Sequence, residues 1–380
     1  MIIKRLNRIF LLFRCIIRAI FYGAARKIPK NILKVIVVPS GKLGDVVCGT
    51  PVLVAIRKYL PHVHIIVAGN SKLHRPLLAD SGLVDEYLDL EEKGVLTSIE
   101  KCHADVAIVT GPSFECASLF YLAGIKLVIA PTAVGGMAYD VTRPYKIIQK
   151  FNKTFPYDIE KYAPRERLKA LEPLGIISSD TTKHLGFSEV AEKKATDLIS
   201  KISGPYRYLV GISAGAGNKE KQWVPKKFAQ VANHLIKKRD AHIIVFGGKN
   251  NIYESTEMIL AIEDKSQMTD STCISIDDLK ARISKLDAFI SVDTGPIYIA
   301  EAMNIPSVNI LGPVTPLVRP PHGKIHKMVF PPGKPEPLLN IMNPRHHDTK
   351  EAERIAQSTR VEDVISVVEE VLKEVDLKKE

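Results

Sequence analysis

Cysteine is scarce in this 380-residue chain. The five present, Cys15, Cys48, Cys102, Cys116 and Cys273, are scattered and form no C-x-x-C pair. That excludes a disulfide framework and a zinc knuckle, and it fits a reducing cytosolic compartment. An apolar run able to span a bilayer is missing as well. The N-terminal stretch, residues 2–22, is interrupted by Arg14 and Arg18, which also spoil the clean apolar centre of a secretory signal. No G-K-[ST] sequence completes a Walker A loop. No recognised nucleic-acid module accompanies the formal net charge of +11. An excess of that size attracts anions in general, whether phosphorylated substrate or anionic lipid. The rest is ordinary for a globular protein: 46% of residues are hydrophobic and 25% charged, over a length that suits two domains.

Residues 2–22 (IIKRLNRIFLLFRCIIRAIFY) are two-faced on a helical wheel. Lys4, Asn7, Arg8, Arg14 and Arg18 fall on one side. Leu6, Ile9, Phe10, Phe13, Ile16, Ile17, Ile20 and Phe21 fall on the other. This pattern predicts a helix lying in a membrane interface with its arginines among anionic headgroups. The alternative is a helix docked on its own protein or on a partner. On the membrane reading, a chain starting near Lys30 stays soluble and active.

Beyond Lys30 the chain alternates strands and helices. Apolar runs at Leu33–Pro39, His64–Ala68, Ala104–Thr110 and Lys126–Ala130 predict buried parallel strands, with a helical stretch through Leu60 after the first. The pattern restarts at Tyr208–Ser213, His242–Gly248, Leu286–Val292 and Pro306–Leu311. Strands alternating with helices imply parallel sheets covered on both faces, with ligands at the loops after the strand C-termini. Three loops lie there. In the first, Gly41 and Gly44 flank Lys42, and Asp45 opens a helix, either as a functional carboxylate or as an N-cap. In the second, Ser213 leads into Ala214-Gly215-Ala216-Gly217, with Lys219 and Lys221 to neutralise phosphate and Trp223 as a packing anchor. In the third, Asp293-Thr294-Gly295-Pro296 precedes a helix whose first amides suit an anion. Asp-Thr-Gly is also the aspartic-protease triplet, but that chemistry needs an all-β scaffold and a second carboxylate. Tyr139, Arg143, Tyr145, Lys146, Lys150 and Lys153 form a basic and aromatic cluster, either a solvated loop or an acceptor site. His346-His347-Asp348 reads as surface, and no metal site is expected.

Three ordered segments resemble the lipopolysaccharide heptosyltransferases, glycosyltransferase family 9. They are Gly41–Pro51 (GKLGDVVCGTP), Lys219–Phe228 (KEKQWVPKKF), and Asp293–Ala300 with Pro306–Pro316. The resemblance implies an α/β GT-B fold of two Rossmann-like domains facing a cleft, here with an N-terminal amphipathic helix. It implies inverting, metal-independent transfer of a sugar, heptose from ADP-heptose in the named members, to a lipopolysaccharide core or similar lipid-anchored glycan. No cofactor is implied. Asp45 matches the proposed base and Lys221 a lysine near the donor phosphates. Asp293, Thr294 and Gly295 match the donor-binding triplet, with Ser213, Gly215 and Tyr298 beside them. Gly41, Lys42 and Gly44 fall on the acceptor side. Tyr298 stands where the family usually has His. No obvious acid for the ribose occurs around Gly247–Tyr253, leaving Asn250, Asn251 or Glu254.

The domain expectations are a basic membrane-surface segment at 1–31, an acceptor domain at 32–200, a nucleotide-sugar domain at 201–345 and a helical segment at 346–380. The helix near Val361–Val375 is expected to pack back on the N-terminal domain. The expected partners are a nucleotide sugar, a lipid-anchored glycan and an anionic membrane surface, without nucleic acid, at a cytoplasmic, peripheral inner-membrane location. The alternatives are a GT-B enzyme for another nucleotide sugar and a non-catalytic nucleotide- or glycan-binding protein of that fold.

Overall fold

The computed structural model describes all residues except 1, 40, 136–141, 203, 319–320, 322, 340–347 and 380, and the backbone alone at 2–7 and 378–379. Tyr139, His346 and His347 therefore lie outside the described residues, as do the side chains of Lys4, Leu6 and Asn7.

The chain divides into two compact units, 1–184 and 185–380, with 317–318 returning to the first. The first holds six parallel strands: β1 (Lys34–Val38), β2 (His64–Gly69), β3 (Glu86–Asp89), β4 (Val106–Val109), β5 (Leu127–Val134) and β6 (Lys153–Asp158), in the order β3-β2-β1-β4-β5-β6. The second holds β7 (Tyr208–Ser213), β8 (Ala241–Gly247), β9 (Met268–Thr272), β10 (Ala288–Val292), β11 (Ser307–Ile310) and β12 (His326–Val329), in the order β12-β11-β10-β7-β8-β9. Both have the strand order of a dinucleotide-binding sheet, whose crevice opens where the order reverses. That point lies between β1 and β4 in one unit and between β7 and β10 in the other. The strands there are buried throughout, which is why Val-Ile-Val-Val and Ala-Phe-Ile-Ser-Val are nearly unbroken apolar runs.

The stretch after β1 is two helices, Leu43–Val47 and Thr50–Tyr59, rather than one. Pro51 explains the break: it has no N–H for a continuous ladder and its ring clashes with the carbonyl four residues back, so it sits in the first turn of the second helix. The first unit ends at His184, ahead of the expected boundary near 200. The helix Glu189–Ser200 turns Ala191 and Ala195 onto Ala281, and Ser188 donates to Asp277 at 2.7 Å, so this stretch packs within the second unit.

The C-terminal helix, Val361–Lys379, is part of the second unit. Val364, Val368, Val371, Leu372 and Val375 enter the second unit's core against β11, β12 and the helix Pro225–Arg239. Their three- and four-residue spacing makes one apolar stripe, which covers a sheet face that otherwise meets water. The Tyr208 hydroxyl bonds Asp376 at 2.6 Å and pins the helix end to β7.

The N-terminal helix, Ile2–Tyr22, docks on the first unit by a narrow strip and leaves the wide apolar face of the wheel exposed. Cys15 is fully buried, and Leu11, Leu12 and Ala19 pack beside it on a core that includes Phe114, Phe120 and Ile148. Burial pushes the Cys15 thiol up to about 11. Arg8, expected among headgroups, instead pairs with Glu115 at 2.5 Å. Arg18, likewise, lies 5.8 Å from the centre of the Tyr121 ring.

Candidate functional site

In the second unit the adjacent ends of β7 and β10 bring the expected donor residues together. Ser213 closes β7 and its carbonyl accepts from the Ser291 hydroxyl at 3.0 Å, tying the two strand ends. A single 3-10 turn, Lys219–Lys221, carries Lys221 inward. Its ammonium donates to Asp293 Oδ2 at 2.6 Å, and the Tyr298 hydroxyl donates to Asp293 Oδ1 at 2.5 Å. Lys221 and Tyr298 are buried. A buried ion pair of this kind is retained only when both charges are compensated, and removing either partner strands the other. Thr294 is the N-cap of the helix Gly295–Ala302 and makes no side-chain capping bond there. The arrangement offers an anion a cationic head and a helix N-terminus at the sheet's switch point. Tyr298 occupies its position as a donor to Asp293, a role in which a hydroxyl serves without acting as a base.

The glycine-rich loop is braced from below. A Cβ on Gly215 would stand 2.3 Å from the Cβ of Asn251, so only glycine lets the loop lie this close. Asn251 donates to the Ala216 carbonyl at 2.9 Å, and Gln222 donates to Glu254 at 3.0 Å. Asn251 and Glu254, candidates for a ribose, thus hold the loop, while Asn250 is exposed in the neighbouring turn. Trp223 is an anchor: its indole N–H donates to the Thr359 carbonyl at 2.9 Å and its ring meets Phe228 edge-on. Nothing in the local sequence marked Gln222 or Thr359, because their partners lie far along the chain.

In the first unit, Gly41, Lys42, Gly44 and Asp45 gather after β1. Gly41 has φ +100° and a Cβ there would stand 2.3 Å from Asp45 Oδ2, so glycine is required twice over. Asp45 is not the N-cap. Lys42 is, and Asp45 in the first turn accepts from the Lys42 amide at 3.0 Å. Its other oxygen faces Arg167 at 3.5 Å, and Arg167 also donates to the Asp45 main-chain carbonyl. Arg167 is buried, beside Glu166, whose carboxylate accepts from the Asp158 amide at 2.8 Å and from Lys169 at 2.6 Å. A carboxylate fixed on two sides is an oriented proton acceptor, since its lone pairs have defined directions.

The basic and aromatic cluster disperses. Tyr145 is fully buried and donates to the Pro131 carbonyl at 2.6 Å, so it belongs to the core. Arg143, Lys146, Lys150 and Lys153 are exposed, the first two on the helix Arg143–Ile148. Among the described residues no group of three or more His, Cys, Asp or Glu side chains gathers as a metal site would require.

The family model of glycosyltransferase family 9 (heptosyltransferase) matches residues 95–340. Lipopolysaccharide heptosyltransferase 2 of Escherichia coli K12 is 22% identical over 309 residues, covering 76% of this chain and 85% of the relative. Among solved structures, E. coli ADP-heptose LPS heptosyltransferase II superposes with a TM-score of 0.71 at 18% identity, over 91% of this chain and 99% of that one. E. coli heptosyltransferase WaaC with ADP-2-deoxy-2-fluoro heptose gives 0.63 at 13% identity, over 89% and 99%. These likenesses fit the two six-stranded parallel sheets as a GT-B fold. With the family model covering well over half its length, the chain belongs to glycosyltransferase family 9 (heptosyltransferase) and is a glycosyltransferase.

Proposed function

We propose that the protein transfers heptose from ADP-heptose to a lipid-anchored lipopolysaccharide-type core glycan, with inversion and without a metal, at the cytoplasmic face of the membrane. The observation that carries the donor assignment is the buried Lys221–Asp293–Tyr298 group at the β7/β10 switch point. On donor binding, the Lys221 ammonium is shared between Asp293 and the diphosphate, and the amides of Thr294 and Gly295 meet the negative charge that grows as the leaving group departs. The acceptor oxygen attacks the anomeric carbon, the bond to the diphosphate breaks, and Asp45 takes the hydroxyl proton. ADP leaves with the bonding electrons. The presence of ADP-2-deoxy-2-fluoro heptose in WaaC supports an adenosine diphosphate sugar as the donor class.

The test is turnover with ADP-heptose against a panel of UDP- and GDP-sugars on a core-glycan acceptor, with and without EDTA. ADP-heptose alone is expected to turn over, at an unchanged rate in EDTA. Lys221→Ala is expected to weaken ADP binding by ~10-fold or more, the size of one lost charge-assisted hydrogen bond. Turnover with a different nucleotide sugar overturns the donor. Loss in EDTA restored by magnesium or manganese overturns the metal-free step. Binding without turnover on any acceptor favours a non-catalytic role.

A further inference from the structure

The N-terminal helix is bound on one side and bare on the other. Its docked side carries Arg8, Leu11, Leu12, Cys15, Arg18 and Ala19 toward the helices Phe114–Leu122 and Arg143–Ile148. The connection after it is fixed as well. The Tyr121 hydroxyl donates to the Gly23 carbonyl at 2.5 Å, the Ala25 amide to Phe151 at 2.7 Å, and Arg26 to the Asn152 carbonyl at 2.9 Å. The helix is therefore a built-in part of the first unit and not a tethered arm.

Its opposite side is apolar and exposed. Phe10 is 64%, Phe13 58%, Ile20 74% and Phe21 75% accessible, with Ile9, Ile16 and Ile17 filling the face between them. Large side chains left in water on one contiguous face mark an interaction surface. Among the described residues, the charges on this helix and on the two it touches are basic apart from Glu115. No acidic residue precedes Asp45 in the chain. Exposed Arg14, Arg26, Lys27 and Lys30 flank the face or follow it. Arg143 and Lys146 stand exposed on the helix Arg143–Ile148, which touches the N-terminal helix. Of the carboxylates on the three packed helices, Glu115 is spent on Arg8. No helix among the described residues is long and apolar enough to cross a membrane. An apolar stripe edged by cations suits the boundary between acyl chains and anionic headgroups, where both contributions act together.

We infer that the face of Phe10, Phe13, Ile17, Ile20 and Phe21 is a rigid docking surface for an anionic bilayer, which the first unit holds in one orientation against the membrane. This deepens the membrane location in the proposed function and rests on it only for the reason such docking is useful. Arg8 and Arg18 play no headgroup role in it. The unit is gripped by the helix's buried side, so inserting the outer side orients the unit as well as retaining it.

The experiment uses the full chain and vesicles of phosphatidylcholine with 0 or about 30% phosphatidylglycerol, a range set by the charge such surfaces carry. The wild type is expected to co-sediment with the anionic vesicles, several-fold less at 0.5 M than at about 0.1 M salt. The combined variant Phe10→Ser, Phe13→Ser, Ile17→Ser removes only exposed groups. It is expected to keep the wild-type melting midpoint and its turnover on a soluble acceptor analogue, and to lose vesicle binding by ~10²-fold or more. A single Phe13→Trp variant is expected to be quenched by lipids brominated in the upper acyl chain, while the core-buried Trp223 contributes a constant background. Failure of the wild type to bind anionic vesicles at low salt overturns the inference. So does a dimer in sedimentation velocity that the triple variant dissolves without any vesicle binding in the wild type, since the face then meets a second copy. Absence of heptosyl transfer with intact vesicle binding overturns the proposed reaction and leaves the docking face standing.

Discussion

At the scale of single residues, the cluster of Lys221 and Asp293 was legible and the partner of Asp45 was not. Asp293 announced itself by following the apolar run of β10 directly, and Lys221 by lying in the small-residue loop after β7, where parallel sheets place ligands. Arg167 gave no signal. It lies 122 residues from Asp45, inside a segment whose helical pattern explains its neighbours without it. The cap reading of Asp45 gives way to Lys42, but the carboxylate still braces the helix start: one oxygen holds the Lys42 amide while the other faces Arg167. Asp45→Asn separates them. The amide oxygen still accepts from Lys42, so the fold and the melting midpoint are expected to stay close to wild type. The proton acceptor is gone, and kcat is expected to fall by ~10²-fold or more with little change in donor KM. Near wild-type turnover would leave Asp45 only a brace for the Lys42 amide at the helix start.

At the scale of elements, the eight strands read from the sequence are the interior of the two sheets, and the four missed are their edges. β3, β6, β9 and β12 each have a neighbour on one side only. Their burial is broken, as in Lys153–Asp158, where exposed residues alternate with Phe155 and Tyr157. A half-wet strand loses the continuous apolar run by which buried strands are recognised, and short polar edges also discourage pairing with other chains. The N-terminal helix shows a different limit. Its wheel gave a correct apolar face, but periodicity cannot say which face meets the protein, and the narrow strip of Leu11, Leu12, Cys15 and Ala19 proved to be the docked one. This adds a stability cost to the expectation for a chain starting near Lys30. Removing the helix uncovers Phe120 and Ile148 and strands Glu115. A fully buried apolar side chain is worth ~1.5–3 kcal/mol, so several lost together should lower the melting midpoint by roughly 5–10 °C. Scanning calorimetry of the shortened chain checks this, and an unchanged midpoint would mean the helix contributes nothing to the core beneath it.

At the scale of the whole molecule, the same sheet order is used twice, and each unit also carries the same kind of acid-sensitive groups. In the first, burial holds His74 below its ordinary value of 6.5, only partly offset by the carboxylates of Asp89 and Glu91. In the second, burial does the same to His242, with a hydrogen bond from its ring to Gln267 opposing. Both histidines are thus kept neutral by folding and take up a proton more readily when unfolded. Stability from this source is fully present above the unfolded value. It is lost as pH falls through about 6.5 toward the lower folded value, because the unfolded chain then binds more protons. A second loss lies further down. Asp89 is held below 3.8 by the Ser71 hydroxyl and the Glu91 amide, and Asp363 by the hydrogen bond and charge of Arg360. Their contribution persists above about 3.8 and disappears as pH falls through their folded values. The melting midpoint is therefore expected to be level from pH 8 to about 7, to decline as pH falls below about 6.5, and to fall again below about 4. His242→Gln retains a polar partner for Thr269 but cannot titrate, so it should flatten part of the first decline and leave the second intact. Scanning calorimetry in steps of about half a pH unit at constant salt gives the curve. A midpoint that stays constant from pH 7.5 to 5 would mean that neither histidine is kept uncharged by the fold.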